Sequence, residues 1–149
     1  MKGFTLAVGV AILWPGASMG EADSGTHTLT CGPERTIGQA IKTLKAGDTL
    51  LVNGTCNENL VIGEEFHGIT LDGQGRAAIN GDANANAISV TGNGITIRGF
   101  VITGGAPQAI AVTDGGTAVI DGNTIQFAAR NGITVFRGSS ANIVNNTIQ

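Results

Sequence analysis

The chain has 149 residues, a length that suits one domain. Charged residues make up 13% and the net charge is −3, which excludes a basic footprint for nucleic acid and an acidic tail. Gly is abundant at 24 residues, Tyr is absent and Pro numbers 3, yet Ile and Val recur at ordered spacings, which excludes a disordered low-complexity chain.

Lys2 gives the chain a positive start, Phe4 to Trp14 is apolar, and Pro15-Gly16 leads into small residues at Ala17, Ser18, Gly20 and Ala22. This order predicts a secretory signal peptide over residues 1–22, cut after Gly20 or Ala22. The run is too short to cross a hydrocarbon core of ~30 Å as a helix. The expectation is therefore a secreted or periplasmic protein with no membrane span after cleavage.

Residues 23–47 are expected to form an N-terminal segment ending in a capping helix. Thr36 and Gln39 make a capping box, and Ile37, Ala40, Ile41 and Leu44 follow with the spacing of one helical face. Lys45 suits the helix C-terminus and Gly47 ends it. Two cysteines, Cys31 and Cys56, favour a single disulfide in an exported chain. The alternative is a pair of buried free thiols; no neighbouring residue gives them metal-ligand spacing. His27 and His67 have no partner in sequence and read as solvated.

From residue 48 the chain repeats. Ile79, Ile102, Ile125 and Ile148 are each 23 apart, as are Ile97, Ile120 and Ile143. "AVIDGNTIQ" at Ala118 to Gln126 returns almost unchanged as "ANIVNNTIQ" at Ala141 to Gln149. Within each period, pairs such as Ile88/Val90, Ile95/Ile97 and Ile110/Val112 alternate with polar residues, and Gly or Asn separates them. Period two means strand, and the separators are turn formers. Three short strands per period with no crossover helix predict a parallel β-helix of about four coils over residues 48–149. Its aliphatic columns would repeat about every 4.8 Å. Asn123 and Asn146 occupy equivalent positions and are expected to stack, with Phe100 at the position one coil earlier. The last repeat carries no terminator, so the C-terminal end of the solenoid is expected to be open. The reading is a chain truncated before its next coil, with end-to-end self-association as the alternative.

"AGDTLLVNGTCNENLVI", "ITLDGQGRAAING" and "ITIRGFVITGG" resemble the opening coils of right-handed β-helix proteins of the pectin lyase-like superfamily. They are most similar to an exported bacterial group of uncharacterised function. The resemblance covers Cys31 to Gln149 and implies a right-handed coil. It also implies polysaccharide as partner, for a non-catalytic binding protein or an envelope or surface scaffold. A polysaccharide lyase or glycoside hydrolase whose catalytic coils lie outside this chain is the alternative.

"QAIAVTDGGTAVIDGNTI" is similar to a pectate lyase segment in which Asp121 would match a calcium-binding Asp. Gln108 and Gly122 depart from that segment, and one carboxylate does not hold calcium, which takes several oxygens. Calcium belongs only to the lyase alternative, and no other cofactor is expected. Asp121 also reads as an ordinary Asp-Gly-Asn turn. Asp114 and Asp121 form the best carboxylate pair in the sequence, but they flank one strand. Arg98, Arg130 and Arg137 are candidates to line a groove for an anionic sugar, with isolated surface charge as their plainer reading. Asp121, Arg98 and Asp114 are the candidate binding residues, and no catalytic or metal-binding set is assigned.

Overall fold

Short alternating runs broken by Gly and Asn favour strands of three to five residues. The computed structural model describes residues 24–149; the expected signal peptide lies outside them. In chain order the strands are β1 (Thr26–Thr30), β2 (Thr49–Asn53), β3 (Thr55–Asn57), β4 (Leu60–Ile62), β5 (Thr70–Gly81), β6 (Ile88–Val90) and β7 (Ile95–Gly104). They continue as β8 (Gln108–Val112), β9 (Thr117–Asp121), β10 (Thr124–Gln126), β11 (Asn131–Val135), β12 (Ser140–Val144) and β13 (Thr147–Ile148).

Every ladder between named strands is parallel. The first face runs β12-β9-β7-β5-β2-β1. The second face consists of β3, the ends of β5 and β7, β10 and β13. The third runs β11-β8-β6-β4. The result is a β-solenoid of about five turns.

The repeat read from the sequence is the register of the sheet. Ile97, Ile120 and Ile143 are successive partners on the first face, and Ile79, Ile102, Ile125 and Ile148 on the second. Ile88, Ile110 and Ile133 are partners on the third. These columns point inward: Ile79, Ile88, Ile97, Ile102, Ile110, Ile120 and Ile125 are all fully buried. The ladder of Asn123 and Asn146 also forms. Asn123 Nδ2 donates to Asn146 Oδ1 at 3.0 Å, and Asn123 Oδ1 accepts from Phe100 N at 3.0 Å.

Two features extend the sequence reading. β1 lies upstream of the helix and pairs in parallel with β2, placing Leu29 over Val52. This adds a rung that the apolar pattern did not reveal. β5 and β7 each pass through two faces as one bent strand, and β5 bulges between Asp72 and Ala77. The bulge needs Gly73, because a Cβ there would lie 2.5 Å from the Gly99 carbonyl oxygen and 2.7 Å from the Phe100 ring.

The helix α1 (Ile37–Ala40) continues as a 3-10 turn over Ile41–Thr43. Its capping box is complete: Gln39 N donates to Thr36 Oγ1 at 3.2 Å and Thr36 N to Gln39 Oε1 at 3.4 Å. Ile37 and Ile41 are buried, so the expected face meets the core. Two carboxylates fix this end of the molecule. Glu58 accepts from Ile37 N at 2.7 Å and from Gly38 N at 2.9 Å, docking α1 on the corner before β4. Asp48 accepts from Gly25 N at 2.6 Å and from Lys45 N at 2.8 Å, and its Oδ2 lies 3.1 Å from His27 Nε2. Chiefly the Lys45 N–H, then the Gly25 N–H, hold the Asp48 carboxyl below its usual range; burial opposes them and His27 adds a smaller push downward. Cys31 and Cys56 form the disulfide, Cα to Cα 5.2 Å, beside Glu58.

The corner between β5 and β6 is longer than its neighbours. The Asn59 amide braces it: Asn59 Nδ2 donates to Ala85 O at 2.8 Å, Asn86 O at 3.1 Å and Asp82 O at 3.3 Å. No helix among the described residues is long and apolar enough to cross a membrane.

Candidate functional site

On the first face, the residues flanking the buried column point outward. One outward column reads Leu51, Asp72, Arg98, Asp121 and Val144 on successive rungs. Two of the three candidate binding residues, Arg98 and Asp121, are therefore direct neighbours across a ladder. Arg98 Nε and Nη2 both donate to Asp72 Oδ2, at 3.0 and 2.9 Å. Asp121 Oδ1 accepts from Asn145 Nδ2 at 2.9 Å.

The bulge of β5 enlarges this strip at the corner towards the second face. Asp72 Oδ1 accepts from Gln74 N at 2.7 Å, which holds Gln74 at φ 56°. Gln74 Nε2 reaches Val52 O and Asn53 Oδ1, both at 3.2 Å, and Arg76 Nη2 reaches Asn53 Oδ1 at 3.3 Å. The corner thus carries amides and guanidinium groups already bonded to one another.

Asp114 is not part of this strip. It sits in the turn between β8 and β9 at φ 53°, where Arg137 Nη1 approaches its Oδ1 at 3.5 Å and Thr113 Oγ1 donates to its Oδ2 at 3.1 Å. That ion pair is exposed on both sides, so its contribution to stability is small. Strand β9 separates Asp114 from Asp121, and its five residues span about 13 Å. A glycosidase pair needs carboxylates about 5–9.5 Å apart. Asp72 and Asp121 lie two rungs apart, about 9.6 Å along the axis, but the Arg98 guanidinium fills the rung between them.

The pairing of Asp72 with Arg98 was hidden in the sequence. The two are 26 residues apart, against the 23 of the repeat, because the bulge lengthens that coil. A separate groove of about 610 Å³ lies between α1 and β4, lined by Ile41, Leu44, Val61 and Phe66 with Lys42 and Glu65 at its polar side.

A family model described as a right handed beta helix region matches residues 48–149. The chain belongs to that right-handed β-helix family. Comparison with curated proteins and comparison with solved structures each gave no match.

Proposed function

We propose that this chain is an exported β-helix that binds polysaccharide, as a free binding protein or as an envelope or surface scaffold, without catalysing turnover. The carrying observation is the strip of Asp72, Arg98 and Asp121. Its charged groups are committed to one another or to Asn145, so they serve display better than proton transfer. Export is supported by the Cys31–Cys56 disulfide, since such bonds persist in oxidising compartments. Membership of the pectin lyase-like superfamily belongs to the same proposal and rests on the sequence resemblance. The experiment is affinity electrophoresis of the protein through gels containing neutral or acidic polysaccharides. Retardation by at least one is expected. Release of reducing or unsaturated ends from polygalacturonate, with or without calcium, would replace this reading by the lyase or hydrolase one.

A second reading is favoured by one observation. Ile143, Val144 and Ile148, on β12 and β13, are 45%, 37% and 55% exposed, and neither strand carries a charged residue. An uncharged strand edge of this kind pairs readily with another chain. On that reading copies of the protein associate through this rung. Sedimentation at rising concentration tests it, and a single monomeric species throughout would remove it.

A further inference from the structure

The second face differs from the first in carrying no ionisable side chain. Its outward positions fall into two ranks. One rank is Thr55, Ala78, Val101, Thr124 and Thr147. The other is Asn57, Asn80, Thr103, Gln126 and Gln149, where Gln149 follows Ile148 at the end of β13. Hydroxyls and amides thus recur about every 4.8 Å over five rungs, a length of about 19 Å. The amides are pre-ordered: Asn80 Nδ2 donates to Asn57 Oδ1 at 3.1 Å, and Gln126 Nε2 to Gln149 Oε1 at 3.2 Å. Such order lowers the entropy lost on binding. Ala78 and Val101 give the centre of the face an apolar floor.

The two ends of this face point independently to a ligand. At the first rungs a hollow of about 270 Å³ is lined by Asn57, Glu58, Asn59, Asn80, Gly81 and Asp82. At the later rungs Phe127 follows Gln126, 76% exposed and at φ 56°. A bulky residue with positive φ is a true outlier, and strain of this kind gathers at functional positions. The preceding coil holds Gly104, at φ 81°, at the equivalent place. The fold therefore offers a glycine solution that this coil does not take.

We propose that the second face is a platform for an extended neutral polysaccharide, laid along the solenoid axis across the rungs and stacked on Phe127. This rests on the polysaccharide-binding reading above and specifies its surface and ligand class. Each amide and hydroxyl supplies both donor and acceptor, matching a chain of sugar hydroxyls. The aromatic ring meets the apolar side of a sugar ring. Glu58 and Asp82, which line that hollow, repel uronates. Arg76 lies towards the opposite corner, where it bonds Asn53 Oδ1.

The test uses the full mature protein in gels of soluble β-glucan, xyloglucan or polygalacturonate, and in pull-down with insoluble cellulose and chitin. Variants are Phe127→Gly, Thr103→Glu, Thr124→Lys, on the third face Val61→Glu as the control and, on the first face, Arg98→Gln, each checked by thermal melting. At least one neutral glycan is expected to bind, about tenfold more weakly to Phe127→Gly and to each charged variant. Val61→Glu, at an exposed position of the third face, is expected to bind as wild type. Phe127→Gly relieves the backbone, so its melting temperature holds or rises while affinity falls, which separates ligand contact from folding. Wild-type affinity in the three second-face variants with loss in Arg98→Gln overturns this proposal but leaves the polysaccharide reading intact. Binding only to polygalacturonate overturns the neutral class. Absence of binding to every glycan overturns both, as does incorporation into growing ice without glycan binding.

Discussion

Replacing Asn123 by Ala tests whether the short amide ladder holds two coils together. Asn123 is 1% exposed. Its Oδ1 accepts from Phe100 N, and its Nδ2 donates to Ile97 O and to Asn146 Oδ1, each at 3.0 Å. Alanine leaves the Phe100 N–H and the Ile97 carbonyl without these partners inside the core. A buried group left unsatisfied costs about 1–3 kcal/mol. Two such groups, with the donor the more demanding, make the loss about 3 kcal/mol, or roughly 10 °C in melting temperature for a domain of this size. Asn146→Ala should cost about 1 kcal/mol, because water reaches that rung and replaces part of what is lost. Solenoids couple mainly between neighbouring repeats. Hydrogen exchange should therefore accelerate in β9–β13 of Asn123→Ala while β2–β6 stay protected. Equal, small losses in the two variants, or uniform exchange along the solenoid, would refute this assignment.

The remaining predictions concern the helix-bearing end. Reducing the Cys31–Cys56 bond, or replacing both cysteines by Ser, frees a loop of sequence separation 25 and should cost about 3.5 kcal/mol in the loop-entropy model, read by denaturant titration with and without reductant. Glu58→Ala removes the acceptor for Ile37 N and Gly38 N and should cost about 1–3 kcal/mol, with faster proteolysis within residues 32–45 as the local readout. Because the Asp48 carboxyl titrates lower in the folded state, its stabilisation is fully present above the unfolded value of 3.8 and fades as pH falls through the lower folded value. The stability difference between wild type and Asp48→Asn should thus shrink as pH falls below 3.8 towards pH 2. A difference unchanged down to pH 2 would remove Asp48 from that role.

The buried columns were legible because an inward position tolerates few residue types. Ile97, Ile120 and Ile143 therefore advertise their stacking by spacing alone. The ladder of Asn123 and Asn146 was legible for the same reason. β1 was not, since Leu29 is its one buried residue and a strand with one apolar position has no period. Apart from the local bond from Lys45 N to Asp48, the carboxylate ties of Asp48 and Glu58 join residues 20 to 23 apart, and nothing local in the sequence marks such a bond. Asp121 and Arg98 were singled out from the resemblance and from charge; that they share a column follows from the register. Asp72 completes that column, but the bulge of β5 moved it out of the 23-residue count. The uncharged second face escaped notice because outward positions vary freely. Only the fold gathers Thr55, Asn80 and Gln126 onto one plane.

The corner gathered under the Asn59 amide has a wider meaning. Extra residues there leave Ile79 opposite Ile102 and Ile88 opposite Ile110, as if nothing had been added. In this architecture, growth at a bend is uncoupled from the stacking of the walls. A foreign peptide spliced between Asp82 and Asn86 should be carried as passive cargo, provided the carbonyls that Asn59 grips are retained.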